Sequence, residues 1–226
     1  MSIDFKAARE AMVRALRSEV SDERVLSAFG RVPRERFVPE EMLRHAYEDR
    51  ALAIGYGQTI SQPLMVAIMT QALSLKGDET VLEVGTGSGY QAALLSLLAR
   101  DVVSVERVEG LVQGAEGRLH ELGYENVRVF VAGEALGWPA LAPYDAVIVT
   151  AGAPEVPSSL VDQLAMGGRM AVPVGSRKVQ RLVTLSKSER GVTMERQGEC
   201  RFVPLIARKE GWPEQLISAN GSQPKG

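Results

Sequence analysis

The chain has 226 residues, 45% hydrophobic and 24% charged, the make-up of a soluble globular protein long enough to bury a core without covalent staples. Its 26 Lys and Arg against 28 Asp and Glu leave a net charge of −2, which excludes the basic face needed to grip phosphate backbones, so no nucleic-acid partner is expected. One cysteine, Cys200, and two histidines, His45 and His120, exclude a disulfide framework and a Cys/His zinc pattern, and no apolar run approaches the roughly 20 residues that span a bilayer.

The first ten residues, MSIDFKAARE, are charged and lack the apolar core of a signal peptide, so a cytoplasmic location is expected. Residues 4–20 predict an amphipathic helix, with Phe5, Ala8, Met12, Leu16 and Val20 at helical spacing. A second helix is predicted over 22–29, capped by Asp22 and stopped by Gly30 and Pro33. Residues 31–60, rich in Arg, Glu, Pro and Gly, read as ordered irregular structure. Ser61 and Pro63 predict the next helix start, a capping hydroxyl followed by a ring suited to the first turn, and Gly77-Asp78 its end.

From residue 80 strand-like and helix-like segments alternate. Strands are predicted at Thr80–Val84, Val102–Glu106, Val127–Val131, Asp145–Thr150 and Arg169–Val174, with helices near 89–99, 109–122 and 157–165. This rhythm implies an α/β fold, a doubly wound and mostly parallel sheet covered on both faces, with helices at the N-terminus. Leu182–Ser186 and Arg201–Ala207 predict a late antiparallel addition. One domain over 1–212 is expected: an extension at 1–60, a ligand-binding core at 61–175 and strands at 176–212. The polar, Gly- and Pro-rich stretch 213–226 is expected to be a disordered tail, and its Asn220-Gly221 pair is of the type prone to deamidation.

The strongest local signal is Val81 to Tyr90, V-L-E-V-G-T-G-S-G-Y, a buried strand running through Gly85-Thr86-Gly87-Ser88-Gly89 into a helix. Glycines let a ligand approach the backbone, and free N–H groups at the helix start carry positive character. Tyr90 stands where a dinucleotide fingerprint needs its third glycine, and no Lys-Ser/Thr pair follows, so neither that fingerprint nor a P-loop is present. Glu83 can face a cationic group, and Glu106, ending the next strand, can accept from two ribose hydroxyls. A ligand with a ribose and a cationic amino-acid portion fits, and S-adenosylmethionine is one. The alternative is a strand–turn–helix that binds nothing.

These residues resemble the class I S-adenosylmethionine-dependent methyltransferases, which share a Rossmann-like fold. The segments Arg36-Phe37-Val38-Pro39, Ala53 to Pro63 (A-I-G-Y-G-Q-T-I-S-Q-P), Ala142 to Asp145, Pro173-Val174-Gly175 and Arg201 to Leu205 (R-F-V-P-L) sharpen the resemblance to the protein-L-isoaspartate O-methyltransferase family. The resemblance implies methyl transfer to the α-carboxylate of L-isoaspartyl residues in damaged proteins, whose ester then collapses to a succinimide. It implies that Ser61 is the active-site hydroxyl and that Gln58, Thr59, Ile60 and Val203 line the substrate pocket. Glu83, Gly85, Thr86, Gly87, Ser88, Gly89 and Glu106 map to the cofactor site. Glu134 and Ala135 stand where the family has Asp-Gly beside the adenine, which implies a weaker contact there.

Such chemistry suits this composition. A carboxylate with a pKa of about 4 is already ionised at neutral pH and needs no general base. Alignment of the reacting atoms is what the protein must supply. From position alone Ser61 reads as a helix cap; the resemblance makes it a group that orients the substrate. A methyltransferase acting on a small molecule and a binding module without catalysis remain as alternatives, although Thr150 to Pro154 lacks the Asp/Asn-Pro-Pro-aromatic run of N-methylating enzymes. A monomer is expected.

Overall fold

A computed structural model describes residues 3–214. Helix α1 (Phe5–Leu16) starts at Asp4, whose carboxylate accepts from the Ala7 amide at 2.9 Å. Helix α2 (Glu23–Arg31) is capped by Asp22 as expected, with Val25, Leu26, Ala28 and Phe29 buried. Gly30 does not stop it; the helix passes through and ends before Val32 and Pro33.

The segment expected to be irregular holds two 3-10 turns, Arg34–Phe37 and Glu40–His45, and a hairpin of β1 (Leu52–Gly55) and β2 (Gln58–Ile60). Its strands are too short to show an alternating pattern in sequence. Tyr56 and Gly57 turn the hairpin at φ +52° and +69°. Helix α3 (Pro63–Ala72) follows, and here the predicted cap fails. Gln62, not Ser61, is the capping residue, and no side chain of its own closes the turn. Asp49 does so from a distance, accepting from the Leu64 amide at 2.9 Å and the Gln62 Nε2 at 2.8 Å. The helix also ends at Ala72, well before Gly77-Asp78, which lie in the turn leading to the next strand.

The main sheet begins with β3 (Thr80–Val84). It continues through α4 (Tyr90–Ser96), β4 (Asp101–Glu106), α5 (Glu109–Glu121), β5 (Val127–Val131), β6 (Tyr144–Val149), α6 (Ser158–Asp162) and β7 (Leu164–Gly175). Two antiparallel strands, β8 (Gln180–Ser188) and β9 (Gly191–Cys200), complete it. The order is β5-β4-β3-β6-β7-β8-β9, and the first five strands are parallel. The expected doubly wound α/β sheet with a late antiparallel addition is therefore present.

Strand periodicity explains both cores. Val81, Val102, Ala146, Ile148 and Ala171 face helices α1 to α4, while Leu82, Val84, Val103, Val105, Val147 and Val149 face the opposite layer. Strand order reverses between β3 and β6, opening a crevice at the carboxyl ends of the strands.

Two late expectations change. Arg201–Ala207 is not a strand; it makes isolated bridges only, Pro204 with Gly152 and Ile206 with Trp212. Its apolar residues, with Phe202 and Leu205 buried, pack under the sheet's end rather than into a ladder. Among the described residues the last strand is β9, whose residues are almost all exposed and so carry no burial pattern. Residues 215–226, including Asn220-Gly221, lie outside the described residues. No helix among the described residues is long and apolar enough to cross a membrane.

Candidate active site

The end of β3 turns sharply because Gly85, Gly87 and Gly89 adopt φ of +104°, +54° and +87°. A Cβ on Gly85 would stand 2.3 Å from the Thr150 hydroxyl oxygen, so only glycine fits this close to the end of β6. Thr150 in turn donates to the Gly85 carbonyl at 2.6 Å. The Gly85 amide donates to the Val105 carbonyl at 2.8 Å, fastening the loop to β4. From α5, Arg118 donates to the Ser88 carbonyl at 2.7 Å.

Glu106 ends β4 beside this loop. One carboxylate oxygen accepts from the Gly87 amide and the other from the Val108 amide, both at 3.0 Å. Each oxygen keeps a further lone pair. Glu83, on β3 two residues before Gly85, is fully buried. One of its oxygens accepts from the Ser104 hydroxyl at 2.5 Å, and the Ser104 oxygen lies 2.5 Å from that of Thr86. The other oxygen of Glu83 is buried with no partner among the described residues. Burial raises the Glu83 pKa to about 8; the Ser104 hydrogen bond opposes this and the nearby Glu106 charge adds to it.

A cavity of about 940 Å³ opens over the carboxyl ends of β3, β4 and β6, near the upper end of small-molecule sites. Gln58, Thr59, Gly85, Gly87, Glu106, Glu134, Ala135 and Val203 line it. A small recess of about 40 Å³ shares Thr59, Gly85, Gly87 and Thr150 with it, and is lined further by Ile60, Ser61, Glu83, Thr86 and Ser88. The fold thus gathers residues from 58 to 203 around one crevice. Gly89 lines neither space. A Cβ there would lie 3.3 Å from the Ala115 Cβ, so this glycine lets α4 approach α5.

Glu134 reaches the rim with its side chain 87% exposed and pairs with Arg208 at 2.8 Å. A second ion pair, Arg107 with Glu214, lies along the same rim. Sequence reasoning missed Thr150 and these two arginines. Thr150 left a weak signal, a polar residue closing an apolar strand. Arg107 directly follows Glu106, and its pairing with Glu214, like the place of Arg208, depends on how residues 205–214 fold back.

A seven-stranded sheet of this order, with a glycine loop at the reversal point and a carboxylate closing the neighbouring strand, defines a Rossmann-like methyltransferase. The family model for protein-L-isoaspartate(D-aspartate) O-methyltransferase matches residues 7–210, and the chain belongs to that family. Over 212 residues it is 49% identical to protein-L-isoaspartate O-methyltransferase 1 of Syntrophobacter fumaroxidans, covering 93% of this chain and 99% of that protein. It superposes with a TM-score of 0.78 and 34% identity on a solved protein-L-isoaspartate O-methyltransferase, covering 86% of this chain and 65% of that one. A second solved structure, of a Plasmodium falciparum protein in complex with S-adenosyl-L-homocysteine, aligns with a TM-score of 0.76 at 26% identity. That alignment covers 89% of this chain and 98% of that one.

Proposed function

We propose the following assignment of roles for an enzyme that transfers a methyl group from S-adenosylmethionine to the free α-carboxylate of L-isoaspartyl residues in damaged proteins. The observation that carries it is the shared wall between the two spaces. Glu106 lines the larger cavity and Ser61 the recess, and Gly85, Gly87 and Thr150 line both.

The residues present fit the cofactor. Gly85 and Gly87 leave a cradle without side chains, Glu106 retains lone pairs for ribose hydroxyls, and Glu83 lines the adjoining recess with one carboxyl oxygen unpartnered. Thr86 and Ser88 complete the loop's side of the cradle, while Gly89 shapes it only through the packing of α4. Glu134 and Ala135 lie where adenine would extend. Bound there, S-adenosylmethionine supplies an electrophilic methyl group on a sulfonium that leaves as a neutral thioether.

The chain's own part is alignment. The Ser61 hydroxyl donates to the substrate carboxylate and holds one oxygen toward the methyl donor, with no proton to remove. Gln58, Thr59, Ile60 and Val203 surround the isoaspartyl backbone and keep water out. After transfer, the backbone nitrogen that follows the altered residue attacks the ester, methanol leaves, and water opens the resulting succinimide. Residues 61–175 hold the donor in this scheme, and 1–60 with 176–212 furnish the substrate side. The enzyme acts as a cytoplasmic monomer.

A labelled-methyl assay on an isoaspartyl peptide beside its normal aspartyl twin tests the assignment. Label on the isoaspartyl peptide alone is expected. Equal labelling of both peptides, or of neither, refutes it.

A further inference from the structure

We propose that Arg34, with Asp49 on the opposite side, is the positioning pair that holds the Ser61 backbone so that its hydroxyl faces the recess beside the glycine loop. This deepens the reading of Ser61 given above and rests on it.

Arg34 opens the 3-10 turn after α2 and is wholly buried. Two of its nitrogens donate to main-chain carbonyls rather than to a carboxylate, and the third, Nη1, is buried with no hydrogen-bond partner among the described residues. Nε donates to Ala46 at 2.7 Å and Nη2 to Ser61 at 2.8 Å. The guanidinium carbon lies 4.8 Å from the ring centre of Tyr90, the first residue of α4 after the glycine loop. Phe29 and Phe37 pack edge-on against that ring at 6.1 and 5.5 Å, so the platform beneath the guanidinium is rigid.

Burying a guanidinium without a paired carboxylate is costly, and an apolar side chain of similar size would fill the space at less expense. Burial lowers the Arg34 pKa, with Tyr90, Tyr47 and Asp49 opposing, yet a guanidinium stays charged at neutral pH. Packing alone therefore does not account for an arginine here. An apolar residue cannot donate to two separate carbonyls while stacking on a ring; a guanidinium can.

Asp49 grips the same stretch from the solvent side, through the Leu64 amide and the Gln62 side chain. The main chain from 61 to 64 is held at both ends. Ser61's hydroxyl makes no hydrogen bond to the described residues, and it lines the recess with Thr86 and Ser88. A main chain held at both ends with the side chain uncommitted is the arrangement a substrate-orienting hydroxyl requires.

A double-mutant cycle separates this role from plain stabilisation. Methylation of an isoaspartyl peptide is measured for the wild type, Arg34→Lys, Ser61→Ala and the double variant. Lysine keeps the charge and loses the fork. Arg34→Lys is expected to lower kcat by about tenfold or more, since misplacement by about an ångström can cost about a hundredfold. The KM for S-adenosylmethionine should move little. In the Ser61→Ala background the same substitution should cost about twofold at most, because the two act through one interaction. Equal losses in both backgrounds overturn the proposal. Should Ser61→Ala leave kcat unchanged, the reading of Ser61 falls, and the proposal falls with it. If Arg34→Lys does not fold, Asp49→Asn, at an exposed position, takes its place in the cycle: coupling to Ser61→Ala supports the pair, and additivity overturns it.

Discussion

The Glu106 carboxylate accepts from the Gly87 amide at 3.0 Å, so the end of β4 and the middle of the glycine loop are one hydrogen-bonded unit. The second carboxylate oxygen takes the Val108 amide at the same distance. Two backbone donors therefore fix the carboxylate plane while leaving lone pairs directed at the cavity. Glu106→Ala is expected to weaken S-adenosylmethionine binding by about 1.5–3 kcal/mol, the range for charge-assisted hydrogen bonds. Isothermal titration checks this, and an unchanged dissociation constant would place the ribose elsewhere.

Ser61→Ala should lower turnover on an isoaspartyl peptide while leaving both cofactor affinity and melting temperature close to wild type. Stability is spared because Asp49, not Ser61, closes the first turn of α3. Removing a helix cap typically costs about 1 kcal/mol. Calorimetric melting that showed such a loss for Ser61→Ala, but none for Asp49→Ala, would reverse the two roles.

Glu83 makes stability depend on pH. Its pKa in the folded chain is raised to about 8 by burial, against an ordinary value of 4.5. Between those values the folded state keeps a proton that the unfolded state has released. Stability from this group is thus complete below about pH 4.5 and declines as pH rises toward 8. Glu83→Gln removes the decline. The melting temperature of the wild type minus that of Glu83→Gln should fall steadily from pH 5 to pH 8; a constant gap would mean Glu83 is ionised throughout.

Gly85→Ala should be among the most damaging single-methyl changes in the chain. The added Cβ meets the Thr150 hydroxyl at 2.3 Å, in a backbone conformation, φ +104°, that side chains rarely adopt. Backbone strain alone is of order 1–3 kcal/mol. Thermal unfolding and cofactor titration should both show loss. Gly114→Ala, where the added methyl would meet nothing within 4 Å, serves as the tolerant control.

Legibility followed burial. The runs Thr80–Val84 and Tyr144–Val149 are apolar because both faces of the central strands are covered, and their bounds in sequence and structure agree within a residue or so. The hairpin at Leu52–Ile60 and strand β9 lie at margins where one or both faces meet solvent, and no periodicity marks them. Arg201–Ala207 misled for the opposite reason. Its Phe202 and Leu205 are buried by the site rather than by a ladder, and apolar content does not say which.

By itself the sequence determined the chain of alternating elements, the glycine loop, the two carboxylates around it and the family resemblance, because backbone geometry and strand burial act over neighbouring residues. Only the tertiary structure decided that Asp49 caps α3, that Arg34 holds the Ser61 carbonyl, that Glu83 is wholly buried, and that Arg208 reaches Glu134. Each of these joins segments distant in sequence. The distances and the exclusion of water that set their strength exist only after the chain has closed on itself.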